Sequence, residues 1–276
     1  MSNNKYVLIT GSTDGIGKKA ALDLAKSGAH VIVHGRNRQK AELTLEQIKN
    51  QTKLDNISAV YADLSSFDQI KEMAYQIKEK YERLDVLINN AGVYRQNRQL
   101  TEEGLEETFA INYIAPFLLT NLLLDSLKKA NSSRIVNVAS QVQSNHLDLD
   151  NLQFEKGYTG VKAYASSKTC LILFTYLLAE KLKNSDIMVN CLHPGVINTK
   201  LLNVAWGAIG APVSEGAKNL IYVAMAPKLE KVSGKYFENK HIKPSKDITY
   251  DKELQRKLWK KTEEIIGLKF NNLIIV

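Results

Sequence analysis

Short β-branched runs alternate with longer helix-period segments along this sequence, and no other feature restricts its fold as tightly. The strand candidates are "KYVLIT" (5–10), "HVIVHG" (30–35), "ISAVYA" (57–62), "LDVLIN" (84–89), "SRIVNVAS" (133–140), "IMVNCLH" (187–193) and "GKYFE" (234–238). The first six are nearly continuous in apolar residues, as parallel strands covered on both faces are. Between them lie helical segments such as "GKKAALDLAKSG" and "RQKAELTLEQIKNQ". "SSFDQIKEMAYQIKEKYE" opens with a serine cap, and its Ile70, Met73, Ala74 and Ile77 recur at helix period. Strand and helix repeated in this way predict an α/β fold: a doubly wound parallel sheet of about seven strands, with helices on both faces. No Pro/Gly/Ser-rich linker interrupts the pattern, so a single domain is expected over residues 1–276.

A formal net charge of +8 invites a nucleic-acid reading. Much of the excess falls between Pro227 and Lys261, where eleven Lys/Arg stand against five Asp/Glu. That stretch is mostly lysine mixed with acids and holds no recognised nucleic-acid motif, so it reads as a solvated surface. Cys170 and Cys191 sit in apolar runs and read as buried free thiols, with no metal-ligand spacing. The opening "MSNNK" is too short and polar for a signal peptide, and no apolar run approaches the ~18 residues needed to span a bilayer. A cytoplasmic protein without a membrane span is the expectation.

"TGSTDGIG" (10–17) follows the first strand and opens the first helix. In a doubly wound, Rossmann-type sheet that is where backbone N–H groups and a helix N-terminus meet a dinucleotide pyrophosphate. Gly11 would allow the tight turn, Gly15 close backbone approach and Gly17 tight helix-to-strand packing. Ser12, Thr13, Asp14 and Ile16 complete the expected contact surface. The second strand ends in "HGRN" with no carboxylate for a ribose 2′-hydroxyl. It supplies Arg36, followed by Asn37, and a guanidinium fork suits a 2′-phosphate, which favours NADP(H) over NAD(H). Asp63, beside Leu64, could accept from the adenine amino group; equally, it or Ser65 could cap the following helix.

Taken in order, "TGSTDGIG", "NNAG" (89–92), "NY" (112–113), Ser140, "YASSK" (164–168) and "PG" (194–195) followed by Thr199 resemble the short-chain dehydrogenase/reductase family. "NYIAPFLLTNLLL", "LDLDNLQFEKGYTGVKAYASSK" and "VNCLHPGVINT" are similar to its retinol-dehydrogenase-like branch. The likeness runs from about residue 5 to about residue 265 and leaves the tail "FNNLIIV" unexplained. It implies an oxidoreductase that moves hydride between a nicotinamide and a carbonyl or alcohol carbon. A non-catalytic nucleotide-sensing protein on the same fold is the rival reading.

One pattern occurs twice: Tyr158 precedes Lys162 by four residues, and Tyr164 precedes Lys168 by four. Such a pair shares a face only where the backbone between is helical. Thr159 and Gly160 favour a loop, so Tyr158 and Lys162 read as surface loop residues, whereas "YASSKTCLILFTYLLAEKL" is an unbroken helical stretch. The resemblance also selects Tyr164. A free tyrosine ionises near ~10, and an ammonium within ~4–6 Å stabilises the phenolate. Tyr164 is therefore expected to act as general acid or base, with Lys168 lowering its pKa and, by resemblance, holding the nicotinamide ribose. Ser140 would orient the substrate oxygen. Asn112, a poor helix former with Pro116 one turn on, is expected to sit at a local kink and complete the set. Separately, Ser140 could merely end a strand, Asn112 satisfy a loose carbonyl and Lys168 be a solvated helix lysine.

By position, the resemblance further implies that Asn90, Ala91 and Gly92 run beside the adenine ribose, with Asn90 tying neighbouring strands. Pro194, Gly195 and Val196 would line the nicotinamide, and Thr199 would contact its carboxamide or the phosphates. His193 reads as structural, with no acidic partner evident. The apolar stretch over 199–213, with Leu201, Leu202, Trp206 and Ile209, suits a lid over a bulky hydrophobic carbonyl or alcohol substrate, or equally a helix face buried against a partner subunit. The resemblance implies a homodimer or homotetramer paired through the helix that carries the tyrosine and its neighbour.

Overall fold

Each apolar run forms a strand, and the computed structural model, which describes residues 5–207 and 209–270, places them in one sheet. In chain order the elements are β1 (Tyr6–Ile9), α1 (Gly15–Lys26), β2 (His30–Gly35), α2 (Arg38–Thr52), β3 (Ile57–Tyr61), α3 (Phe67–Lys80) and β4 (Val86–Asn89). There follow α4 (Glu107–Phe109), a π turn (Ala110–Ile114), α5 (Ala115–Lys128), β5 (Ser133–Val138), α6 (Gly160–Lys181) and β6 (Ile187–His193). α7 (Lys200–Trp206), α8 (Val213–Met225), β7 (Tyr236–Glu238), β8 (His241–Lys243) and α9 (Lys252–Ile266) complete the chain. Ala208, in the expected lid, and Asn271–Val276, in the tail, lie outside the described residues.

The strand order is β3-β2-β1-β4-β5-β6-β7-β8, parallel throughout except for the last pair. Alternate residues feed opposite layers, which is why the strands are apolar at almost every position: Val7 and Ile9 pack on one side of the sheet and Leu8 on the other. α1, α2 and α8 cover the first layer; α3, α5, α6 and α9 cover the second.

Two expectations needed correction. An eighth strand joins the edge through Asn239 and Lys240, both at positive φ (48° and 65°). That geometry normally draws Asn-Gly or Asp-Gly, and "ENKH" lacks the glycine that would have signalled it. Next, α6 begins at Gly160, four residues before Tyr164, because the Thr159 hydroxyl caps it by accepting from Lys162 N at 3.2 Å. α9 lies across α5 and α6, with the Trp259 ring 4.7 Å from that of Phe117 and 5.9 Å from that of Phe174.

The continuous helical rod Glu107–Lys128 is long and apolar enough to cross a membrane, yet it is buried inside the protein as a core helix. At its start the predicted kink is a π turn with Asn112 at its centre. The strand order reverses between β1 and β4, and in open α/β sheets the crevice at such a switch point is where ligands bind.

Candidate active site

The glycine loop sits at the carboxyl end of β1, and close packing fixes its composition. A Cβ on Gly17 would fall 2.6 Å from Gly11 O, and one on Gly11, which has φ +62°, would fall 2.8 Å from Ala91 Cα. The side chain of Asn90 secures the opposite wall, donating to Thr10 O (2.8 Å) and Gly11 O (3.1 Å), so it does tie β1 to β4. α1 opens at Gly15 on the cleft floor, where a helix N-terminus favours an anion. Its cap is Asp14, whose Oδ1 accepts from Gly15 N at 2.8 Å and whose Oδ2 pairs with Lys200 at 2.5 Å. The hydrogen bond from Lys200 is the main reason this carboxyl lies below the usual carboxylate range. The loop's shape and donors fit a dinucleotide pyrophosphate.

Around the far end of the cleft, Asn112, Ser140, Tyr164 and Lys168 come together, all buried. The carboxamide of Asn112 grips Val93, accepting from its N–H (2.8 Å) and donating to its carbonyl (3.0 Å), and it also donates to Ser167 Oγ (3.1 Å). Lys168 donates to Val138 O at 2.8 Å, and its amine lies 5.7 Å from the Tyr164 ring centre. It is not a solvated lysine: burial lowers its pKa to about 8. Ser140 accepts from Val142 N at 3.0 Å and is hydrogen-bonded to the Tyr164 hydroxyl. The Tyr164 pKa moves opposite to expectation. Burial pushes it up to about 12, and the bond with Ser140 offsets only part of that. Removing both tyrosine and lysine from water opposes the charged form of each.

Of the catalytic and cofactor-binding residues expected from the sequence, all but Ser12, Asn37 and Asn112 line one cavity of about 1100 Å³; Ile209 of the expected lid is exposed and does not line it. Ser12 is turned inward, accepting from His34 N (2.8 Å) and donating to Ile9 O (2.8 Å). Asn37 caps α2 by accepting from Lys40 N at 3.0 Å. Asn112 stands behind Gly92, where a Cβ would be 3.4 Å from both its Oδ1 and the Lys168 amine. Asp63 accepts from Ser65 N and Oγ, and the cap of α3 is neither of these but Ser66. Arg36 is exposed on the cavity rim and makes no ion pair with any described residue. Thr199 caps α7 and brings its Cγ2 to 3.5 Å from where a Cβ on Gly15 would be.

With this geometry in view, the comparisons are specific. Residues 5–207 match the short chain dehydrogenase family. The chain belongs to that family. Human retinol dehydrogenase 13 is 38% identical over 283 residues, covering 96% of this chain and 85% of the relative. Human polyprenol dehydrogenase is 39% identical over 284 residues, covering 96% and 86%. Among solved structures, an uncharacterised protein from Mycobacterium paratuberculosis superposes with a TM-score of 0.80 at 25% identity, covering 97% of this chain and 95% of the other. A short chain dehydrogenase from Shigella flexneri 2A str. 301 complexed with NADP gives 0.71 at 25% identity, covering 87% and 98%. This short-chain dehydrogenase is accordingly an oxidoreductase acting on CH–OH groups with an NAD(P) cofactor.

Sequence reasoning missed two parts of the dehydrogenase's site. The buried His34 accepts from Gly11 N at Nδ1 (3.0 Å) and reaches Ala62 O from Nε2 (3.0 Å), pinning the glycine loop to β2 and β3. Burial depresses its pKa to about 4, so the ring is neutral and its Nδ1 is free to accept. Polarity alone would have flagged it, since a histidine within an apolar strand needs two partners. The other part is Tyr94, whose ring stands 6.1 Å from that of Tyr164 and 5.6 Å from that of Trp206, ring centre to ring centre, and so joins the expected lid tryptophan in an aromatic wall. His193, read as lacking an acidic partner, faces Glu238 across the β6–β7 pairing, and that carboxylate partly offsets the lowering of its pKa by burial.

Proposed function

We propose that this chain is an NADP(H)-dependent oxidoreductase that interconverts hydrophobic alcohols with their aldehydes or ketones, Tyr164 moving the proton. The observation that carries this reading is the placement of the Tyr164 hydroxyl, bonded to Ser140 and backed by the buried Lys168, in the same cavity as the glycine loop. A bound nicotinamide cofactor supplies or accepts the hydride. The loop from Gly11 to Gly17 would hold its pyrophosphate, Asn90 to Gly92 its adenine ribose side, Lys168 its nicotinamide ribose, and Pro194 to Val196 with Thr199 its nicotinamide end.

The chain's own residues handle the oxygen. Ser140 takes its incoming hydrogen bond from Val142 N, so its single hydroxyl proton is there to donate, to the Tyr164 oxygen or to a substrate oxygen that takes its place. With its pKa raised, Tyr164 is protonated at neutral pH and suited to donate as a carbonyl oxygen gains charge. In the reverse direction it must accept a proton, and the Lys168 ammonium favours the phenolate that does so. Arg36 supports the NADP(H) preference: it is an exposed guanidinium after β2 that makes no ion pair with any described residue. Leu201, Leu202, Trp206 and Tyr94 make an apolar wall beside Tyr164, and similarity to enzymes named for retinol and polyprenol supports a lipophilic alcohol or aldehyde. α7, none of whose residues is buried, forms with Gly207 and residues 209–213 the lid of this reading.

A panel of hydrophobic and compact aldehydes and ketones, monitored by loss of NADPH absorbance, tests the proposal. Turnover of the hydrophobic members is expected. NADPH binding without turnover of any member would favour the nucleotide-sensing alternative instead.

A further inference from the structure

We propose that α9 positions the catalytic apparatus: by accepting a hydrogen bond from Tyr113, Thr262 holds the π turn that aims Asn112. This inference rests on the proton-transfer role given to Tyr164 and Lys168. α9 lies beyond residues 5–207, the segment that matches the family, so nothing in that match assigns it a part in the site.

Tyr113 is the neighbour of Asn112 in the π turn and one of the largest fully buried side chains. Its ring lies between those of Phe109 (5.4 Å) and Phe117 (6.2 Å), so its hydroxyl stands in apolar surroundings. The hydroxyl is 2.7 Å from Thr262 Oγ1, across 149 positions of sequence. Thr262 uses its own proton on Leu258 O at 2.7 Å, so Tyr113 must be the donor between them. Such a bond fixes direction as well as distance.

A π turn carries one more residue than an α turn and is held only where the surroundings over-determine it. Here two adjacent side chains do so from opposite sides. Tyr113 is tied outward to α9, and Asn112 is tied inward to the N–H and carbonyl of Val93 and to Ser167. Val93 is flanked by Gly92, which packs against the Lys168 amine, and by Tyr94, whose ring packs on Tyr164. A shift of the turn would thus reach both members of the proton pair, whereas the glycine loop lies on the other side of the switch point.

The test compares Tyr113→Phe, Thr262→Val, their combination and Thr262→Ser with the unaltered chain, using NADPH and the best aldehyde of the panel. Tyr113→Phe keeps the packing and leaves Thr262 bonded to Leu258, so it isolates the tie. It is expected to lower kcat about fivefold while KM for NADPH stays within about twofold. Thr262→Val should lower kcat at least as far, Thr262→Ser should restore it, and the combination should be no worse than Thr262→Val alone, because both changes remove one bond. Unchanged kcat in Tyr113→Phe, or KM for NADPH rising as much as kcat falls, would overturn the inference. Absence of turnover in the unaltered chain would instead sink the oxidoreductase reading beneath it.

Discussion

Tyr158 with Lys162 and Tyr164 with Lys168 are the same pattern six residues apart, and the fold puts them to different uses. Both pairs fall on or beside the first turns of α6, and burial pushes both hydroxyls up to about 12. What each hydroxyl meets next separates them. Tyr158 donates to Arg95 O at 2.9 Å and lies 3.3 Å from a Glu106 carboxylate oxygen, an acceptor pair that opposes ionisation. Tyr164 meets Ser140, whose hydrogen bond favours ionisation, and has the Lys168 amine over its ring. Lys162 is exposed, and its backbone N–H does no more than take the Thr159 cap. A tyrosine and a lysine four apart therefore specify shared placement on a helix; the sign of the charge around the hydroxyl decides whether a proton can leave.

Four substitutions press on that contrast. Tyr164→Phe should lower kcat by about 10²–10⁴, the usual worth of a positioned acid or base, with NADPH binding retained in a fluorescence titration. Lys168→Met should cost about tenfold to a hundredfold in alcohol oxidation, since each unit of pKa the cation removes from the phenol is about a factor of ten. Arg36→Ala leaves both tyrosines alone and should reduce or reverse the NADPH-over-NADH preference by about tenfold in the ratio of KM values. Equal use of both cofactors by the unaltered chain would contradict that assignment. Tyr158→Phe should be the mildest: kcat within about twofold, and a loss of about 1 kcal/mol in denaturant-monitored stability as the bond to Arg95 O goes.

How much the sequence disclosed divides along similar lines. Local pattern was enough for the strand alternation, the glycine loop between β1 and α1, and the irregularity at Asn112, which a poor helix former near Pro116 foretold. Contacts between distant segments were not legible. Tyr158 lies in the loop before α6 but is half-buried rather than at the surface, because Arg95 and Glu106, more than fifty positions earlier, receive its hydroxyl. His34 as the clasp of the glycine loop, and α9 as the cover on α5 and α6, likewise depend on partners that pattern cannot locate. The pKa of Tyr164 was misjudged for the same reason. Its lysine was visible in the sequence, while the desolvation that raises the pKa belongs to the assembled cleft.

The claim on which the rest depends is that a buried ammonium makes a buried phenol ionisable. The pH dependence of kcat for oxidation of a hydrophobic alcohol tests it directly, because only the phenolate can accept the proton and the rate must rise with pH through its ionisation. The account predicts a rise with pH in the unaltered chain, displaced toward higher pH in Lys168→Met. The same curve in both proteins, or its survival in Tyr164→Phe, would contradict it.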